Sequence, residues 1–276
     1  NTAMPALTTA QRALFFIAIS LATFMMVLDY SIANVAIPYI AGDLAVSADQ
    51  GTYVITSFAV GNAIGLAMTG WVSKRMGEIK SLCISTALFT LFSTACGLSI
   101  SLEMLVYNRF IQGLVSGPIV PLSQALLIRF GTPEKRSRDL SIWATIVITA
   151  PVIGPVLGGY ISEWYSWPWI FYINIPIGIF CCLAIWLLLH RRESTIEKVK
   201  SDVPGILFLA AGVCCLQILL DKGQQWDWIN SERIIALGIG TIVFFNYLII
   251  RELSYKPPFL DLSLFLIPSF TLSIIC

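Results

Sequence analysis

Apolar residues in this chain come in runs too long for ordinary core helices, each closed by a short polar stretch. Runs of about 20 residues are what a helix needs to cross a bilayer. Eight such runs occur, at roughly 14–37, 52–72, 82–102, 104–128, 140–161, 169–189, 203–220 and 234–251. A ninth begins near Ser269 and is cut at Cys276, and the first residue is Asn1 rather than Met, so the chain reads as a piece of a longer protein. The first run is long and seven more follow it, which predicts a retained helix rather than a cleaved signal. The pattern as a whole predicts an all-α integral membrane protein.

Composition agrees, with 57% hydrophobic residues, 12% charged residues and a mean hydropathy of +0.81. The charged share is about half that of soluble domains. A net charge of +1 decides nothing, but the placement of the cations does. Arg12, then Lys74, Arg75 and Lys80, then Arg129, Lys135, Arg136 and Arg138 fall on alternate connections. Arg191, Arg192, Lys198 and Lys200, and finally Arg251 and Lys256, continue the same side, against Lys222 and Arg233 on the other. The positive-inside rule then predicts a cytoplasmic N-terminus. The seven Cys residues lie in apolar runs without metal-ligand spacing and read as small hydrophobes. The single His190 sits beside Arg191 at a helix end, which predicts an interfacial role. Neither a metal nor a cofactor site is expected. No Gly-x-x-x-x-Gly-Lys-Ser/Thr phosphate loop occurs, which disfavours an ATP-driven pump.

Two ionisable residues stand well inside apolar runs, Asp29 in the first and Arg109 in the fourth. A charge at the bilayer centre costs roughly 2.5–3.5 kcal/mol, so such residues face a bundle interior and mark ion or proton pathways. Asp29 can carry a proton, whereas Arg109 cannot release one and would act electrostatically. Gln112 and Gly113 share a helix face with Arg109, and Gly113 and Gly117 form a small-xxx-small pattern that lets helices approach closely. Pro118 and Pro121 predict a bend beyond it. Asn34, Asn62, Gln124, Asn174 and Asn246 are further intramembrane amides able to bond between helices. The fifth run holds Pro151, Gly154, Pro155, Gly158 and Gly159, a density that membrane helices tolerate and that permits kinking. Ser47 and Gln50 form a capping-box pattern ahead of the second run. Trp164, Trp167, Trp169, Trp226 and Trp228 fall on the less basic side and predict an interfacial belt.

The connection Gly70-Trp71-Val72-Ser73-Lys74-Arg75-Met76-Gly77-Glu78-Ile79-Lys80 resembles the loop signature of the major facilitator superfamily. Gly70, Gly77, Arg75 and Lys80 match, while Lys74 stands where the signature has Asp and Glu78 where it has a basic residue. Three further segments resemble the drug:proton antiporters of its EmrB/QacA family. They are Leu28 to Pro38 in helix one, Arg109 with Gln112-Gly113 in helix four, and Gly154-Pro155 with Gly158-Gly159 in helix five. Trp169 to Gly178 resembles that family's helix-six segment.

The resemblance implies a 14-helix fold of six helices, two inserted helices and six more. Here it would comprise a bundle over 1–190, a cytoplasmic linker at 191–202, the inserted pair at 203–252, and a linker with the start of a ninth helix at 253–276. It also implies a non-enzymatic, proton-coupled exporter of amphipathic toxic compounds in a bacterial inner membrane. Asp29 and Arg109 would couple the proton, and Asn34, Gln112 and Gln124 would line the substrate cavity. Gly70, Arg75, Gly77, Gly113, Gly117, Gly154, Pro155, Gly158 and Gly159 would serve conformational change. Partners would be a periplasmic adaptor, an EmrA-like membrane fusion protein, and an outer-membrane channel, with no nucleic acid. An exporter of a physiological metabolite or siderophore-like product, and a non-transporting membrane sensor, remain the alternatives.

Overall fold

The computed structural model of the chain describes residues 8–132, 134–194, 196 and 202–254. Among them every regular element is helical: α1 (Thr9–Asp43), α2 (Ala48–Gly51), α3 (Tyr53–Met76), α4 (Glu78–Gly97), α5 (Leu102–Ser116) and α6 (Ile119–Phe130). There follow α7 (Arg136–Trp164), α8 (Trp169–Tyr172), α9 (Asn174–Leu189), α10 (Val203–Lys222) and α11 (Glu232–Ser254). Eight spans among the described residues are long and apolar enough to cross a membrane, the second, fourth and sixth built from the pairs α2–α3, α5–α6 and α8–α9. The run beginning near Ser269 lies outside the described residues.

The third helix differs from its expected range of 82–102. Gly77, at φ +90°, ends α3, so α4 begins at Glu78 inside the polar loop. Its far end is Gly97, because Ser101 already caps α5 by accepting a hydrogen bond from the Met104 amide at 3.2 Å. The expected bend in the fourth span is a break at Gly117-Pro118, where proline brings no amide to continue the ladder. Ser47 and Gln50 form the expected capping box, and Thr8 and Gln11 form a second one that starts α1.

Two compact units divide the chain, Asn1–Glu197 and Lys198–Cys276. In the first, α1 packs on α7 and α9, α3 on α5, and α4 on α5 and α9. Lipid tails are as apolar as the side chains, so helix association rests on close packing and hydrogen bonds rather than on apolar burial. Glycine supplies the packing between α3 and α5. A Cβ on Gly61 or Gly65 would strike the carbonyls of Phe110 or Leu114, and one on Gly113 or Gly117 would strike the Phe58 carbonyl or the Leu66 amide. Four glycines, two on α3 and two at the end of α5, therefore set the backbone separation. Asn62 adds a hydrogen bond to Ser116 Oγ at 2.8 Å across the same contact.

Helix α7 runs unbroken through Pro151 and Pro155. Pro155 has no amide to offer the Pro151 carbonyl, and Ser31 Oγ on α1 donates to that carbonyl instead, at 3.4 Å. The approach requires Gly154, whose added Cβ would collide with the Ser31 hydroxyl, while Gly158 faces the backbone of Ile32. The opposite face of α7, with Ile148, Val152 and Val156, is exposed.

Trp167 departs from the expected aromatic belt. It is buried and donates from Nε1 to Asp43 Oδ2 at 2.7 Å, pinning the end of α1. In the second unit, Asp202 caps α10 and accepts from Arg251 Nε of α11 at 2.7 and 2.9 Å, and Phe208 stacks on Tyr247.

The Gly65→Leu variant is expected to lose monodispersity and melt at a lower temperature in detergent, since overpacking against rigid backbone costs about 1–3 kcal/mol or more. Gly42→Leu, at a position whose Cβ meets nothing within 4 Å, is the matched control and is expected to behave as wild type in the same size-exclusion and melting measurements.

Candidate functional site

Asp29 sits near the middle of α1 with its side chain almost wholly buried, and Arg109 of α5 is fully buried against it. Arg109 Nη1 donates to Asp29 Oδ2 at 2.5 Å and to Gln112 Oε1 at 2.8 Å. The other carboxylate oxygen accepts from Asn174 Nδ2 at 2.8 Å and, at a longer 3.4 Å, from Gln112 Nε2. Asn174 also donates to Ser93 Oγ at 2.9 Å, and Ser93 in turn donates to the Phe171 carbonyl at 2.9 Å. The guanidinium lies 4.2 Å from the centre of the Phe58 ring and 5.5 Å from that of Phe171. Arg109 Nε reaches the Val54 carbonyl at 3.4 Å. One salt-bridged pair thus joins α1, α3, α4, α5, α8 and α9.

The arrangement meets the condition for burying charges in an apolar interior, since each is paired and hydrogen-bonded. It is not saturated, because Arg109 Nη2 and Asn174 Oδ1 have no hydrogen-bond partner. Aromatic faces on the guanidinium supply part of what is missing.

Asp29, Arg109 and Gln112 are brought together, but Gln112 is buried within the network and has no exposed surface. Asn34 and Gln124 stand apart from it. Both are exposed, and the Asn34 amide donates to the Tyr30 carbonyl of its own helix at 3.0 Å. Asn174 and Ser93 complete the carboxylate's surroundings. Asn174 was legible as an intramembrane amide, while a buried serine in an apolar run gives no comparable signal. Among the glycines, Gly113, Gly117, Gly154 and Gly158 make backbone-close contacts, whereas Gly70 and Gly159 face open space. No cluster of three or more metal-ligating residues occurs among the described residues.

The loop of Gly70 to Lys80 has its own charge arrangement. Glu78, which replaces the signature's basic residue, pairs with Arg129 at 2.8 Å, and Arg129 also donates to the Arg192 carbonyl at 2.9 Å. Arg75 lies over the Trp71 ring, 5.3 Å from its centre. Glu193, just past the short 3-10 turn of His190–Arg192, accepts from the amides of Ile79 and Lys80 at 2.9 and 2.8 Å. Ser194 Oγ accepts from the Glu78 amide at 3.1 Å. The free amides at the start of α4 are therefore filled by residues more than one hundred positions later in the chain.

The family model described as Major Facilitator Superfamily matches residues 19–276. The chain belongs to the major facilitator superfamily. It is 50% identical over 267 residues to "Multidrug export protein EmrB" of Escherichia coli (strain K12), covering 97% of this chain and 52% of that protein. It is 45% identical over 271 residues to "Fatty acid resistance protein FarB" of Neisseria gonorrhoeae, covering 98% of this chain and 54% of that protein. The chain thus spans about half the length of the curated relatives it matches. A crystal structure of peptide transporter POT in complex with sulfate shares the fold, with TM-score 0.64, 14% identity, and coverage of 88% of this chain and 53% of the other. As a member of this superfamily with eight apolar spans among its described residues, the chain is a segment of a multi-pass membrane protein.

The pair's geometry fixes an expected order of stabilities. Arg109→Gln leaves the carboxylate buried without its countercharge, a loss on the order of 3–5 kcal/mol. The double variant Asp29→Asn with Arg109→Gln removes both charges and is expected to melt at a higher temperature than Arg109→Gln alone. Thermal unfolding of wild type, Arg109→Gln and the double variant in one detergent gives the comparison, and a double variant no more stable than the single one would mean that the carboxylate is not held as an anion.

Proposed function

We propose that the full-length protein is a proton-coupled exporter of amphipathic toxic compounds across a bacterial inner membrane, working by alternating access. The observation that carries this reading is the buried Asp29–Arg109 pair with its hydrogen-bond network. The curated relatives, described as a multidrug export protein and a fatty acid resistance protein, support the substrate class. A proton taken up by Asp29 cancels the charge that balances Arg109. The guanidinium, still charged, then needs another acceptor. The network would thereby favour a different helix arrangement in each protonation state, and a bound compound that alters access to Asp29 would compete with the proton. Asn34 and Gln124, both exposed, are proposed cavity-lining amides. Helix α7, glycine-packed on one side and apolar on the other, is the proposed moving seam, with Gly70 and Arg75 near the end of α3 and Gly77 just after it as further conformational elements.

In this reading residues 1–190 form the first bundle, 191–202 a cytoplasmic linker and 203–252 an inserted pair, with the second bundle beginning after 253. The alternation of cations supports a cytoplasmic N-terminus. The connection between α10 and α11 would then face the periplasm. There Arg233 covers the Trp226 ring at 5.7 Å, while Trp228 and Ile229 remain exposed. Exposed aromatic and aliphatic side chains within a polar rim suit an interface, and a periplasmic adaptor leading to an outer-membrane channel is the proposed partner.

Asp29→Asn in the full-length protein is expected to abolish substrate movement driven by an imposed pH gradient in proteoliposomes while keeping wild-type monodispersity. Transport at the wild-type rate would remove Asp29 from the coupling step. Gly154→Leu is expected to insert normally but to slow exchange between inward and outward accessibility, read by cysteine labelling from each side. The pair Trp226→Ala and Trp228→Ala is expected to weaken adaptor association, measured by pull-down of the full-length protein with its adaptor, while liposome transport persists.

A further inference from the structure

At the basic end of the first unit, the beginning of α1, the end of α6 and the beginning of α7 surround a cavity of about 430 Å³. That volume is within the range of small-molecule sites. The cavity is separate from the ion pair. Arg12 on its wall and Asp29 share the continuous helix α1 and stand on the order of 25 Å apart along its axis.

The inner wall is apolar. Phe15 is buried and meets Phe130 edge-on, with ring centres 5.7 Å apart, and Phe16, Leu127 and Ile142 extend this surface. The mouth is cationic, with Arg12, Lys135 and Arg138 against a single carboxylate, Asp139, which already pairs with Arg138 at 3.3 Å. Two polar atoms of the wall, Arg12 Nε and Thr132 Oγ1, are shielded from solvent and have no hydrogen-bond partner. A shielded donor normally finds an acceptor, because burying it alone forfeits its hydration without return. An arginine nitrogen and a hydroxyl on one wall, neither engaged by a described side chain or backbone group, are both available to an acceptor entering the cavity. Helix α7 also starts here without a side-chain cap, which adds to the positive potential.

We propose that this cavity binds an amphipathic anion, its phosphate or carboxylate head held by Arg12, Thr132 and Lys135 and its hydrocarbon body laid on the Phe15–Phe130 surface. A cationic amphiphile is disfavoured by the three positive side chains. A bare inorganic anion would leave the aromatic wall unused. The occupant is either a free single-chain amphiphile or an anionic membrane lipid, which present the same chemistry.

Native mass spectrometry of the full-length protein in neutral detergent tests this, with dodecyl phosphate as probe. Saturable binding is expected, at least about tenfold weaker in Arg12→Gln with Lys135→Gln, because charge-assisted hydrogen bonds to the head are lost. Should that variant fail to fold, Lys135→Gln with Arg138→Gln, both at exposed positions, carries the same comparison. Competition by phosphatidylglycerol assigns the site to membrane lipid, and its absence assigns the site to a free amphiphile; either supports the proposal. Unchanged affinity in the charge variants would overturn it, as would equal binding of dodecyltrimethylammonium or equally tight binding of inorganic phosphate. The readout is binding rather than transport, so its failure leaves the proposed proton-coupled export standing.

Discussion

A charge inside a membrane bundle must be matched within the bundle, and the placement of Asp29 opposite Arg109 organises the first unit around that requirement. Neither residue is satisfied by its partner alone. The carboxylate draws an amide from α9 and another from α5, and the guanidinium draws an acceptor from α5, a carbonyl from α3 and two aromatic faces. Hydrophobic burial between helices is weak in lipid, so these directional contacts specify which helices are neighbours. The proposed site of proton chemistry is thus built from the same atoms that give the bundle its identity.

The glycine contacts meet a complementary need. Hydrogen bonds across the α3–α5 and α1–α7 interfaces form only if the backbones come close, and an added Cβ at Gly65, Gly117 or Gly154 would occupy that space. On α7 the logic extends to proline. Pro155 strips the Pro151 carbonyl of its helical donor, Gly154 opens the path, and Ser31 fills the vacancy from α1. The hydroxyl replaces one bond of an otherwise continuous ladder, so the tie between α1 and α7 runs through the proline site itself.

Much of this was legible in the sequence because membrane spans impose a strong signal. The eight apolar runs became eight spans, and the two intramembrane charges became partners. The small-residue spacing at Gly113 and Gly117 marked a real close contact, although its counterpart at Gly61 and Gly65 needed the structure to be recognised. What escaped were features that depend on which helices touch. Asn174 is 145 positions from Asp29 along the chain, and nothing local to it distinguishes a carboxylate ligand from interhelical glue. Trp167 reads as an interfacial ring like its neighbours until Asp43 is found 2.7 Å from its nitrogen. Gln112 shares a face with Arg109 as expected, yet that face points into the ion pair and not into open space.

The clasp between Glu193, Ser194 and the first turn of α4 also decides where the bundle ends mechanically. The last span's α-helix stops at Leu189, but the chain stays fastened through Ser194, with Arg129 gripping the Arg192 carbonyl from the side. Any tether that follows is therefore anchored at the base of α4, not at the tip of α9. The third span, which sets Ser93 against Asn174 and Cys96 against Gln112 beside the ion pair, therefore shares its base with the last fastened residues of the bundle.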